Sequence, residues 1–227
     1  MKQDLDHRVL KEKQRDIRGG FPEVVGLRIH RAISWIGRAE ACVGDDDARF
    51  IFLWIAFNAA YADERDFQPS ELNGRAGLTA RAAFMSYFER LVALDTERRI
   101  YRALWDKFSG PVHTLLGNRY VFNRFWLHHN GIEGHANWQS HFEASRSASL
   151  RALETGDTAK VLGLVFDRLY VLRNQLVHGG STWNSKVNRA QVRDGAAILA
   201  FLMPVFIDLM MDNPHEDWGR PFYPVVE

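Results

Sequence analysis

Apolar and polar positions along this chain recur with the period of an α-helix, not that of a strand. From Pro22, a residue suited to a first helical turn, the run VVGLRIHRAISWIGRAEACV sets Leu27, Ile29, Ile33 and Ile36 toward a core. Asp45 to Asp47 then offer an N-cap and negative charge to a helix starting near Ala48. The segment RFIFLWIAFNAAYADE, Arg49 to Glu64, is apolar on nearly every side, which predicts a buried helix and, with the first, a helical hairpin. Farther on, VLGLVFDRLYVL carries Val161, Leu164, Val165, Leu169 and Leu172 on one side of a helix. The last helix follows STWNSKVNRAQ, where Asn188 and Gln191 have capping-box spacing, and runs to about Met211. Its run GAAILAFLMPVFIDLMMD must be covered by the core, by a partner chain or by both, and Pro204 predicts a kink.

The pattern is less regular between these pairs of helices. FQPSELNGRAGLT is rich in turn formers and opens a stretch, 67–155, that reads as an insertion. Within it RAAFMSYFERLVAL and TERRIYRALWDKF are helical in period, and Gly110-Pro111 interrupts the pattern before RYVFNRFWLHH. Arg90, Arg98, Arg99, Arg102, Lys107, Arg119 and Arg124 interleave there with Tyr101, Trp105, Tyr120, Phe125 and Trp126. That mixture suits bases and phosphates, or else a solvated outer helix face. The expected organisation is a charged N-terminal segment over 1–20, one helical domain over 21–212, and an extended tail over 213–227 that packs through Trp218 and Phe222.

Composition narrows the function classes. With 46% hydrophobic and 25% charged residues the chain has the make-up of a globular protein. A formal net charge of +1 means that nucleic-acid contact must come from local clustering of cations. Cys42 is the single cysteine, so no intrachain disulfide forms; with a charged N-terminus lacking an apolar stretch, this points to a cytoplasmic protein without a membrane partner. His128, His129, His135 and His141 lack the paired spacing of a structural zinc site, and the expectation is no metal and no cofactor.

The candidate chemistry lies at RNQLVHGG, Arg173 to Gly180, where the third strongly apolar helix should end. Gly179 and Gly180 can take the left-handed conformation that closes a helix, which puts His178 in the last turn beside unpaired carbonyls. Asn174 and His178 share a face at i and i+4, whereas Arg173 lies farther around and must curl back. A guanidinium fork suits a phosphate and an imidazole can move a proton. RNA brings its own nucleophile, the 2′-hydroxyl, so cleavage needs only a proton acceptor, a proton donor and positive charge on the developing phosphorane, and no metal is required.

The pattern RN-x3-H at the end of the third core helix of an all-helical chain resembles the signature of the HEPN superfamily (higher eukaryotes and prokaryotes nucleotide-binding domain), an arginine and a histidine a few residues apart, often with asparagine after the arginine. Arg173, Asn174 and His178 match it. The helix Arg49 to Glu64 also looks like the long core helix that such proteins place before the motif helix. The resemblance implies an all-α fold, a four-helix HEPN-like bundle with a helical insertion between core helices 2 and 3. It implies a metal-independent endoribonuclease in which two motifs face one cleft of a homodimer, with RNA as partner. His178 would be the general base or acid, Arg173 would hold the scissile phosphate, and Asn174 would position either. Ser181, Thr182 and Asn184 are further candidates for substrate contact.

Within the earlier helix Trp54, Asn58, Tyr61 and Arg65 form a stripe. Asn58 and Tyr61 either orient Arg173 or His178, or Asn58 is a core amide bonded to neighbouring backbone. A different class of function stays open: a non-catalytic HEPN module that binds nucleotide or RNA or serves as a dimeric interaction domain. Such a chain, like the enzyme, would fit a toxin held by an antitoxin or a defence-system partner. The expected dimer is isologous and built from the motif helix and the last helix.

Overall fold

The computed structural model describes residues 5–62, 76–186, 188–221 and 223–225, with backbone alone over 76–83. Among them the chain is all-helical. The α-helices are α1 (His7–Ile17), α2 (Glu23–Glu40), α3 (Asp46–Tyr61), α4 (Ala76–Leu94), α5 (Arg99–Arg102), α6 (Ser109–Leu116), α7 (Asn123–His129), α8 (Trp138–Thr155), α9 (Thr158–Val177) and α10 (Arg189–Asp212). Helix α3 starts as its aspartates predict: the Asp45 carboxylate accepts the Ala48 N–H at 3.0 Å, and Asp46 and Asp47 lie in the first turn, against the positive end of the helix dipole.

Helices α2, α3 and α10 pack together, and α9 adds α4, α6 and α8 to that group. Where they meet, Phe57, Phe88, Phe166 and Phe206 are fully buried, with Phe166 4.5 Å from Phe57 and 4.8 Å from Phe88 between ring centres. Phe88 belongs to α4, and Val112, Leu115 and Leu116 of α6 lie in the same core. The stretch that reads as an insertion therefore supplies part of the principal core. Its turn-rich opening hides this, because composition marks where a chain leaves an element and says nothing of where the next one packs. The rest of the stretch builds a small second cluster from Phe125, Trp138 and Phe142.

Three further departures have local causes. The charged N-terminal segment folds as α1, capped by Asp6 onto the Val9 N–H at 2.8 Å, and buries Leu10 completely; a single inward leucine and Gln14 make too narrow a stripe to stand out among eleven mostly charged positions. Arg28, on the core side of α2, is fully buried, where its guanidinium donates to Ala60 O at 3.1 Å and Gly219 O at 3.2 Å. It thereby satisfies a carbonyl at the negative end of α3 and ties the C-terminal tail to it. Asn188 forms no capping box: it precedes α10 with φ +57°, and its amide nitrogen donates to Gln175 Oε1 at 2.9 Å.

Helix α10 is long and apolar enough to cross a membrane, yet 78% of that window is buried in the protein, and every residue from Leu202 to Met211 is buried. The core covers the run that sequence left open to a partner chain. Asp208 interrupts it, held by Lys13 Nζ at 2.6 Å and Arg99 Nη1 at 2.5 Å, so that α1, α5 and α10 meet at one carboxylate. Burial pushes the Asp208 carboxyl up, but the hydrogen bonds and charges of Lys13 and Arg99 outweigh it and hold the group below the usual aspartate value. Trp218 is buried as expected of the tail, with its indole N–H on Asn213 O at 2.8 Å, while Phe222 lies outside the described residues.

Candidate functional site

Helix α9 ends in a Schellman arrangement. Gly179, at φ +71°, donates its N–H to Leu176 O at 3.3 Å, and Gly180 donates to Gln175 O at 2.7 Å. A Cβ at Gly179 would meet nothing within 4 Å, so its glycine is required by backbone conformation alone. This closure leaves His178 as the capping residue, exposed, its N–H on Asn174 O at 3.0 Å and its imidazole without a hydrogen bond among the described residues. One turn earlier Arg173 Nη1 donates to Asn174 Oδ1 at 2.9 Å.

The loop after the motif is clamped to the start of α3. Arg189 donates to both Asp47 oxygens at 2.6 and 2.9 Å and to Asn184 Oδ1 at 3.1 Å, and Asn184 donates its own N–H to Asp47 at 2.8 Å. The hydrogen bonds that Arg189 donates to Asp47 raise its guanidinium above the ordinary value. Burial pushes the Asp47 carboxyl up, but its bonds to Arg189 and the Asn184 N–H prevail and hold it low. Asn184, a candidate for substrate contact, thus has both backbone and side chain engaged in holding the loop, at φ +53°. Thr182 is exposed and Ser181 partly buried; the Thr182 carbonyl accepts the Ser185 N–H at 3.1 Å in a turn.

Beside Arg173 opens a cleft of about 840 Å³ between α2, α3, α7, α9 and the C-terminal tail. Asn58 and Tyr61 of the α3 stripe line it, as does Arg173, whereas Asn174, His178, Ser181, Thr182 and Asn184 do not. Asn58 is partly exposed and its side chain makes no hydrogen bond among the described residues, so it is a cleft amide and not the core amide that an apolar helix suggests. Tyr61 is fixed by stacking on Phe57 at 4.5 Å between centroids. Arg65, fourth in the stripe, lies outside the described residues.

The cleft is cationic and aromatic. Among the described residues, Arg31, Arg124, Arg168 and Arg173 line it against one acid, Asp167. Arg168 is buried, donates to Ser145 Oγ at 2.9 Å and lies over the Phe122 ring at 4.6 Å. Sequence reading missed it because it follows Asp167 inside a mostly apolar run, where such a pair passes for a solvated face; an arginine in such a run is itself the signal. Tyr170, 44% exposed, and Tyr223 of the tail were likewise unmarked. Of the basic residues interleaved with aromatics, Arg124 reaches the cleft, whereas Arg99 pairs with Asp208 and Arg98 lies 4.1 Å from the centre of the Tyr101 ring. The histidines are dispersed in other contacts: His129 stacks on Phe125 at 4.0 Å, and among the described residues no three His, Cys, Asp or Glu side chains converge to hold a metal ion.

Comparison of the chain with protein-family models, with curated proteins and with solved structures finds no match.

Proposed function

We propose that this protein is a metal-independent endoribonuclease that works in the manner of the HEPN proteins its motif resembles, as a homodimer with an Arg173, Asn174 and His178 set from each copy. The observation that supports the reading best is that Arg173, which lines a cationic cleft, is paired with Asn174 at 2.9 Å, one turn from an exposed imidazole without a side-chain partner among the described residues. In the reaction the 2′-oxygen of the substrate forms a bond to phosphorus and the bond from phosphorus to the 5′-oxygen breaks. The proton of the 2′-hydroxyl passes to an imidazole and a proton is delivered to the departing 5′-oxygen, giving a 2′,3′-cyclic phosphate and a 5′-hydroxyl. Arg173 carries the extra negative charge of the phosphorane, where a fixed guanidinium strengthens its hold as charge develops.

A second copy supplies what one chain lacks. His178 is outside the cleft lining, and Val177 beside it is 49% exposed, with Trp183 of the following loop 73% exposed. A partner seated on these residues brings a second imidazole to the phosphate held by Arg173. The core-buried face of α10 is not free to join that interface. The same position of His178 favours, as the second reading, a module that binds nucleotide in the cleft and cleaves nothing, alone or beneath an antitoxin or defence-system partner.

A labelled RNA with one 2′-deoxy position separates these readings. The proposal expects loss of cleavage after that nucleotide alone, cyclic-phosphate ends elsewhere, and a solution mass that falls toward one chain on dilution together with specific activity. Cleavage at the deoxy position would refute the chemistry; binding without cleavage of any RNA would favour the second reading.

A further inference from the structure

The cleft contains more than a phosphate clamp requires. Orienting one phosphate needs Arg173 and Asn174, yet the space beside Arg173 is about 840 Å³ and seven of the residues lining it are aromatic. Four features bear on its occupant. Tyr170 presents a ring that is 44% exposed, supported from below by Trp54 at 6.1 Å. Asn58 offers an amide, donor and acceptor together, that nothing among the described residues engages. Arg124 and Arg173 line the cleft with no carboxylate partner among the described residues. Finally, the tail closes one side, where Arg31 Nη1 donates to Tyr223 O at 2.6 Å.

A flat ring for stacking, an amide that can read a donor–acceptor edge, and guanidinium groups for the flanking phosphates together match one unpaired nucleotide. A purely apolar ligand leaves the amide and the cations without use, and a duplex keeps its bases stacked and their Watson–Crick edges paired. We infer that this cleft is a base-reading subsite, in which the nucleotide next to the scissile phosphate stacks on Tyr170 and its base edge is recognised by Asn58. The inference rests on the proposed function for the word scissile only; the subsite itself requires single-stranded RNA and no cleavage. Cleavage specificity then depends on a residue of α3, far in sequence from the motif, and not on the loop after it.

The test uses the His178→Ala protein, chosen so that cleavage does not consume the probe, and a set of short single-stranded RNAs that differ in one base, read by fluorescence anisotropy. Tyr170→Ala is expected to weaken binding about tenfold or more, the usual effect of losing one stacked base, while Tyr170→Phe retains affinity. Asn58→Ala is expected to abolish the preference among the four bases at one position. A Tyr170→Ala protein that binds as tightly as its parent, an unchanged base preference in Asn58→Ala, or no RNA binding at all overturns the inference. In parallel, the protein with His178 intact is sequenced for cleavage sites on random RNA. Binding as expected with no cleavage there sinks the ribonuclease reading and leaves the subsite standing; cleavage with the same base preference in Asn58→Ala sinks the subsite and leaves the ribonuclease.

Discussion

Replacing Arg189 by alanine removes the clamp that fixes the loop after the motif. Arg189 is 29% exposed at its side chain and Asp47 13%, and the pair is joined by two hydrogen bonds of 2.6 and 2.9 Å. Breaking a fully buried pair costs about 3–5 kcal/mol, and a solvent-exposed pair contributes less than about 1 kcal/mol. This pair lies between, and the Asn184 N–H stays on Asp47 in the variant, so the loss should be about 2 kcal/mol. For a chain of this size that lowers Tm by about 4–8 °C. The effect has a sign in pH. The folded-state pKa of Asp47 is held below its unfolded value, so the pair's contribution is complete above the ordinary aspartate value and is lost as pH falls through the depressed one. Differential scanning calorimetry of parent and Arg189→Ala should therefore show a gap at neutral pH that narrows below about pH 4. Arg189→Lys keeps the charge but not the fork, and should recover less than half of the gap. Equal Tm values at neutral pH, or a gap that persists unchanged in acid, would refute the reasoning.

Three other outcomes follow from the packing. Asp208→Ala removes the carboxylate that Lys13 and Arg99 share and leaves them Asp212 and Asp95, and should destabilise by about 1–3 kcal/mol in urea unfolding, with the difference shrinking in acid because the Asp208 pKa is also depressed. Gly195→Ala sets a Cβ 2.9 Å from Phe50 and 3.0 Å from Leu169, and should cost about 1–3 kcal/mol by the same assay, since those neighbours are themselves confined in the core. Gly179→Ala meets no atom but must hold φ +71°, and should cost about 1–2 kcal/mol by shifting the helix end that carries His178.

Local signals carried much of this fold. The apolar period located α2, α3, α9 and α10, the aspartates located the start of α3, and the two glycines located the end of α9 together with the address of His178. What escaped depends on contacts between distant segments. Phe88 belongs to the principal core because α4 lies against α9, which no window of sequence around α4 records. Arg28 and Arg168 break the rule that arginine faces water because carbonyls, a serine hydroxyl and aromatic rings stand in for it. Of the candidate site, the sequence assembled Arg173 with Asn174 and placed Asn58 on a face, but it could not tell a core amide from a cleft amide. That distinction depends on α7 and the tail, which stop short of covering Asn58. Asn184 shows the converse: a polar residue just past a motif looks available for substrate until its partners across the fold are known.

The most direct measurement is the incubation of mixed cellular RNA with the purified protein in excess EDTA, beside Arg173→Ala and His178→Ala proteins shown by circular dichroism to be folded. The proposed chemistry predicts cleavage by the parent and none by either variant. Cleavage that persists in the His178→Ala protein, or a parent that binds RNA and leaves it intact, would contradict it.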